Sequence, residues 1–111
     1  SASKHKLSKL FVLIDYNKLQ SAGTTSNILE LEPLSKKLLS FGFEVSEVDG
    51  HNPKEILKKL STKKKFPNKP NVLICHTVKG KGIPFSEHNL NYHHKNNVSD
   101  AEILEMKECL S

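Results

Sequence analysis

Short apolar runs alternate along the chain with apolar stripes at helical spacing, the pattern of βαβ units around a mostly parallel sheet. Leu10-Phe11-Val12-Leu13-Ile14 is continuously apolar up to Asp15, as in a strand covered on both faces. Ile28, Leu31, Leu34 and Leu38 recur at helical spacing with Ser35, Lys36 and Lys37 opposite, and Gly42 supplies a stop, which predicts a helix ending near Ser40. Phe43, Val45 and Val48 sit among Glu44, Ser46 and Glu47, the alternation of a half-exposed strand towards a sheet edge. Asn52-Pro53 offers an N-cap followed by proline at the first helical position, and Ile56, Leu57 and Leu60 give a helix to about Leu60 its apolar face. A solvated connection over 61–70, with Lys63-Lys64-Lys65 and two prolines, leads into Asn71-Val72-Leu73-Ile74-Cys75, a second doubly covered strand. Residues 79–98 are rich in Gly, His and Asn and carry no apolar periodicity, and loops of that length are usually functional or disordered. Ser99-Asp100-Ala101-Glu102 is a capping box that opens a final helix carrying Ile103, Met106 and Leu110.

Composition narrows this picture. The 111 residues allow one small domain or a piece of a larger one. Apolar residues make up 36 %, below the roughly 45–50 % of an average globular domain. The core is therefore modest, with room for apolar surface that relies on a partner. The net charge of +5 comes entirely from lysine, because the chain has no arginine. Lysine does not reproduce the guanidinium forks used to read guanine, which argues against a sequence-specific nucleic-acid binder. Cys75 and Cys109 suit neither a disulfide scaffold nor a CxxC metal knuckle, so two free thiols in a reducing compartment are expected. No apolar run approaches the roughly 18 residues of a membrane span, and the first residues carry no signal-peptide core. The expected location is cytoplasmic, with no membrane partner.

In open α/β sheets ligands sit beyond the carboxyl ends of the strands, which singles out Asp15-Tyr16-Asn17 and His76 to Gly82. Asp15 and Asn17 carry hard oxygen atoms that suit magnesium, although both residue types also favour turns. Lys79-Gly80-Lys81-Gly82 offers amides and point charges to an anion, but lacks the full phosphate-loop pattern, and a flexible exit loop is the favoured reading. His88, His93 and His94, with Cys75 and His76 upstream, show no pair at the spacing of a structural zinc site. The lysine triplet has only Phe66 as an aromatic neighbour and reads as a solvated loop. Cys75 lies in an apolar strand and reads as a small buried hydrophobe.

Taken in order, these strand ends lie within longer strings that resemble one family. LFVLIDYNKLQSAGTTSNILELEPLSKKLLSFGFEVSEVDGHN resembles the cofactor domain of transketolases. PNVLICHTVKGKGIPFS is similar to the family's strand and glycine-rich exit, and EHNLNYHHK, Glu87 to Lys95, to its ENxxxWH segment. The resemblance is to the N-terminal subunit of split transketolases and covers essentially the whole chain. It implies a three-layer α/β/α fold with a mostly parallel sheet, here a part of the thiamine diphosphate-binding domain. The implied cofactors are thiamine diphosphate and Mg2+. Asn17 matches the metal-binding asparagine, and Leu19 the position whose backbone carbonyl is a second ligand. His93 matches the histidine that approaches the diphosphate and the sugar substrate, and is the implied catalytic residue.

Several departures set bounds on the resemblance. The Gly-Asp-Gly aspartate that completes the family's metal site is not in the sixteen residues before Asn17, and Ser1 to Leu10 look like the end of the helix joining it to the first strand. The upstream substrate histidines and the pyrimidine domain with its activating glutamate are also absent from these 111 residues. Ala22 stands where an aspartate is common, and His94 where many relatives carry glycine or an aromatic residue. Residues 1–111 are therefore expected to be a partial cofactor domain, inactive alone. The expected partners are sugar phosphates, the upstream half of that domain and a pyrimidine-domain subunit, in an oligomer. The implied activity is transfer of a two-carbon ketol unit between sugar phosphates. The alternatives are a non-catalytic remnant or split subunit that serves as an assembly partner, and a lysine-rich nucleic-acid binder.

Overall fold

The computed structural model describes residues 1–20, 23–24, 33–62, 66–92 and 94–111. Ala22, Ile28, Leu31, the lysine triplet and His93 lie outside the described residues. The chain divides into two units: Ser1–Tyr16 with Leu31–Thr77, and Asn17–Glu30 with Val78–Ser111.

The first unit is a parallel sheet between helices. Strand β1 is Phe11–Tyr16, and in the second unit the short strands β2, Leu19–Gln20, and β3, Gly23–Thr24, follow it. Helix α1, Leu34–Ser40, strand β4, Glu44–Asp49, helix α2, Pro53–Ser61, and strand β5, Asn71–His76, complete the first unit. The sheet order is β1-β5-β4, all parallel, with Phe11 and Glu44 both in register with Asn71, and Tyr16 and Asp49 both in register with His76. One face buries Tyr16, Val72 and Ile74 beneath Leu34 and Leu38 of α1. The other buries Val48, Leu73 and Cys75 beneath Ile56 and Leu60 of α2. These are the three expected layers, and β5 is doubly covered because it is the central strand. The half-exposed strand, β4, lies at an edge as its alternation predicts.

Strand β1 departs from expectation. It alternates exposed and covered positions, with Phe11 38 % and Leu13 53 % exposed. Helix α2 lies over β4 and β5, and among the described residues no element of this unit covers that face of β1. A residue run that is apolar on both sides is thus buried on one side only.

Local signals set the helix ends. Helix α1 stops because Gly42 takes φ +85°, and the Gly42 N–H reaches the Leu39 carbonyl at 2.9 Å. Helix α2 starts where Asn52 Oδ1 accepts the Glu55 N–H at 3.2 Å, with Pro53 at the first position. Ser1 to Leu10 form turns and not a regular helix. The Leu7 N–H reaches back to the Ala2 carbonyl, and Lys6 has φ +49°, the geometry that closes a helical turn.

In the second unit β2 and β3 pair antiparallel, Leu19 opposite Thr24. The stretch after Thr77 is a series of turns joined by hydrogen bonds and not a loose exit: Ile83 N–H to Gly80 O, Ser86 N–H to Ile83 O, and Tyr92 N–H to Asn89 O. A 3-10 turn at Leu90–Tyr92 precedes helix α3, Asp100–Leu110, whose capping box has both expected bonds. No residue of α3 is buried, and Ile103 and Leu110 are exposed.

Candidate functional site

Strand β1 delivers its chain directly into an Asx turn. The Leu19 N–H donates to Asn17 Oδ1 at 2.9 Å, with Lys18 between them at φ +61°, a left-handed conformation that the side-chain bond stabilises. Asn17 and Leu19 are both half-buried. The two residues singled out as metal ligands are therefore brought together by a local bond. A carboxamide oxygen and a peptide carbonyl are neutral hard donors, the kind magnesium takes, so the donor set fits that ion.

Asp15, the other oxygen candidate near this end, is engaged elsewhere. The Thr77 hydroxyl donates to Asp15 Oδ1, and the Thr77 N–H donates to the Tyr16 carbonyl at 3.2 Å. Thr77 thus ties the carboxyl end of β1 to that of β5. Beside it, His76 Nε2 lies 2.9 Å from Glu47 Oε1, and the His76 ring meets Tyr16 edge-on at 5.8 Å. Cys75 is buried, and its thiol is pushed above the usual range by that burial and then by the Asp15 carboxylate. That environment suits a buried hydrophobe and not a nucleophile. Among the described residues no three of His, Cys, Asp and Glu converge to hold a metal. A recess of this unit, about 430 Å³, opens at the amino ends of the strands beside Phe11, Glu44, Asn71 and Lys58. That is the edge away from which α/β sheets bind ligands.

The second unit has its own cleft, about 220 Å³, lined by Lys79, Gly80, Ser86, Asn89, Tyr92 and Met106. Its floor depends on glycine. Gly80 has φ +80°, and a Cβ there would stand 2.4 Å from Ser86 Oγ and 2.7 Å from the Ser86 carbonyl. Ser86 is 8 % exposed, and its hydroxyl reaches the Ile83 carbonyl at 3.0 Å and the Gly80 carbonyl at 3.3 Å. Gly82 N–H donates to Glu87 Oε1 at 3.1 Å. The Lys79–Gly82 amides are thus partly used within the loop. On the wall of the cleft, Tyr92 packs on Phe85 with ring centres 5.5 Å apart, and its hydroxyl donates to Glu102, which Lys95 also contacts.

Sequence reasoning singled out Asn17 and Leu19, which the structure brings together, and His93, which falls outside the described residues. It missed the Thr77–Asp15 and Glu47–His76 contacts, whose partners lie on, or just past the end of, different strands, and a second use of Glu102 beyond its cap. The alternation of β4, which puts Glu47 among its polar positions, was the signal the sequence offered for Glu47.

A three-layer parallel α/β unit with an oxygen-donor turn at a strand's carboxyl end defines a class, the α/β cofactor-binding domains. Comparison with known proteins makes the assignment specific. Residues 1–111 match the family described as transketolase, thiamine diphosphate binding domain. The chain is 41 % identical over 92 residues to the 6-deoxy-6-sulfo-D-fructose transketolase subunit SqwG of Clostridium sp. (strain MSTE9), covering 83 % of this chain and 34 % of that protein. It is 40 % identical over 109 residues to an apulose-4-phosphate transketolase subunit of Actinobacillus succinogenes, covering 97 % of this chain and 39 % of that one. The transketolase structure from Campylobacter jejuni superposes with a TM-score of 0.81 at 29 % identity, covering 96 % of this chain and 16 % of that chain. The chain belongs to the transketolase family, and it spans 34 % and 39 % of the length of the two subunits just named.

Proposed function

We propose that this chain is part of a transketolase that depends on thiamine diphosphate and Mg2+ and transfers a two-carbon ketol unit between sugar phosphates. Residues 1–111 act as a partial cofactor domain, lacking the Gly-Asp-Gly half and inactive alone. The observation that carries the reading is the Asx turn at the end of β1, which sets the Asn17 side chain against the Leu19 backbone within a chain of this family. Asn17 would hold the metal through its carboxamide oxygen and Leu19 through its carbonyl.

Bound thiamine diphosphate supplies the carbanion-stabilising chemistry that protein side chains lack. The chain's own residues bind and orient. His93 would donate hydrogen bonds to diphosphate or sugar oxygens and so favour charge that develops in the transition state. The assembly would be cytoplasmic and oligomeric, and its other parts would be the upstream half of the domain and a pyrimidine-domain subunit. Two free cysteines and the absence, among the described residues, of a helix able to cross a membrane are compatible with that setting. The relatives named as subunits support an assembly of several chains.

A chimera tests the proposal. Residues 1–111 replace the matching stretch of the Actinobacillus succinogenes protein, and the product is purified with the subunits it assembles with. The chimera should bind thiamine diphosphate in a magnesium-dependent way and transfer ketol units, whereas the 111-residue chain alone should give background rates. Asn17→Ala should lower cofactor affinity with partial rescue by excess magnesium, and His93→Ala should lower turnover without changing magnesium dependence. Unchanged cofactor affinity and magnesium dependence in Asn17→Ala would falsify the metal assignment.

A further inference from the structure

We infer that Glu102 is a positioning residue for His93, holding the residues on both sides of it to the first turn of α3; the inference rests on the role proposed for His93 above. One carboxylate does two jobs through its two oxygens. Oε2 accepts the Ser99 N–H at 2.8 Å and lies 3.0 Å from Ser99 Oγ, and Ser99 Oγ in turn accepts the Glu102 N–H at 3.3 Å. That completes the capping box and needs only one oxygen. Oε1 takes no part in the cap. It accepts from both the Tyr92 hydroxyl and the Lys95 ammonium, and Lys95 Nζ also reaches the Tyr92 hydroxyl at 3.3 Å and stands 4.4 Å from the centre of its ring.

Tyr92 and Lys95 bracket His93 and His94 in the chain, so a single oxygen anchors both ends of the segment that carries His93. The anchor holds its protonation pattern near neutrality. The Lys95 and Tyr92 bonds hold the Glu102 carboxyl down to about 2, and the same carboxylate raises the proton affinity of both Lys95 and Tyr92. Tyr92 also packs at a tilt on Phe85 and lines the cleft beside Lys79, so the clamp fixes one wall of that cleft.

Glu102→Gln separates the two jobs. Glutamine completes a capping box as glutamate does. Its neutral amide has one acceptor oxygen, and with that oxygen on the Ser99 N–H its NH2 group faces the Tyr92 and Lys95 donors. Backbone relaxation and imidazole signals of the 111-residue chain, with His93 assigned through His93→Gln, read the result. In Glu102→Gln, order parameters at Tyr92 and Lys95 should fall from about 0.85 to below about 0.6, the His93 signal should move to that of an unstructured histidine, and the ellipticity of α3 should persist. Tyr92→Phe, which removes one donor, should give part of the same change. Unchanged order and an unchanged His93 signal in both variants would overturn the inference. So would order parameters already below about 0.6 in the wild-type chain, or a loss of ellipticity in Glu102→Gln equal to that in Glu102→Ala.

In the chimera, misplacement of His93 should lower kcat/KM about tenfold in Glu102→Gln, within the range that a small displacement of a positioned group costs. Full turnover in His93→Ala, with the order changes above intact, would remove the role of His93 and leave the clamp. Lowered turnover in His93→Ala with wild-type kcat/KM in Glu102→Gln would remove the clamp and leave the role.

Discussion

The two units are held by different kinds of interaction. In the first, β5 pairs along six residues with a neighbour on each side, and both of its faces lie under apolar side chains from a helix. In the second, among the described residues, the buried side chain is that of Ser86; the loop is held by the Ser86 hydroxyl on the Ile83 carbonyl and the Gly82 N–H on Glu87, and is joined to the helix where Tyr92 and Lys95 donate to Glu102. Apolar burial is non-directional and tolerates modest changes of shape, whereas hydrogen bonds weaken steeply once donor and acceptor are misaligned. The first unit is a scaffold. The second owes its form to a few polar atoms, and the proposed binding residues Asn17, Leu19 and His93 belong to it.

The largest effect should come from breaking the scaffold. Ile74 is 1 % exposed on the central strand, so Ile74→Ala should cost about 3 kcal/mol, read as a lowered midpoint in urea unfolding. Gly80→Ala is the matching test in the polar unit. It forces a left-handed alanine against the Ser86 carbonyl and should cost about 2 kcal/mol, with amide exchange quickening around Ser86 and not in β5. A loss of protection in β5 instead would show that the polar unit is not separately held.

The helix caps sharpen the contrast further. Asn52→Ala and Ser99→Ala should each cost about 1 kcal/mol. Helix α2 keeps half-buried Ile56 and Leu60 packed on the buried cluster of the sheet after losing its cap, while among the described residues no side chain of α3 packs on such a cluster. Only Ser99→Ala should therefore reduce helical ellipticity measurably. The same helix gives a pH test. Because the fold lowers the Glu102 carboxyl to about 2, its contribution is complete above the ordinary glutamate range and fades as pH falls towards about 2. Tyr92 and Lys95 signals followed through an acid titration should hold below about pH 4 and collapse together near the lower value. Collapse of both near the ordinary glutamate value, about pH 4.3, would break the assignment of the clamp to Glu102.

The smallest effect is expected at the proposed metal site. Asn17 is half-buried and bonded to one nearby amide, so Asn17→Ala should change stability by no more than about 0.5 kcal/mol in thermal unfolding. A larger loss would give the turn a folding role that the proposed metal role does not require.

The sequence by itself determined most of the first unit and the start of α3 in the second. Continuous apolar runs marked β1 and β5, alternation marked β4, and Asn52-Pro53, Gly42 and Ser99-x-x-Glu102 marked helix ends, because these signals act over a few residues and are written in adjacent side chains. Resemblance to the transketolases extended that reading to Asn17 and Leu19, and the structure joins them through a bond between residues two apart. Tertiary structure alone decided the rest. The exposed face of β1 followed from where α2 lies, which the apolar run could not specify. The Thr77–Asp15 bond followed from the parallel register that brings together residues 62 apart in sequence. The second use of Glu102 followed from a turn that brings Tyr92 and Lys95 to the start of α3. Such contacts depend on where a whole element ends up, and a hydrogen bond between distant residues leaves no periodic trace in the chain that makes it.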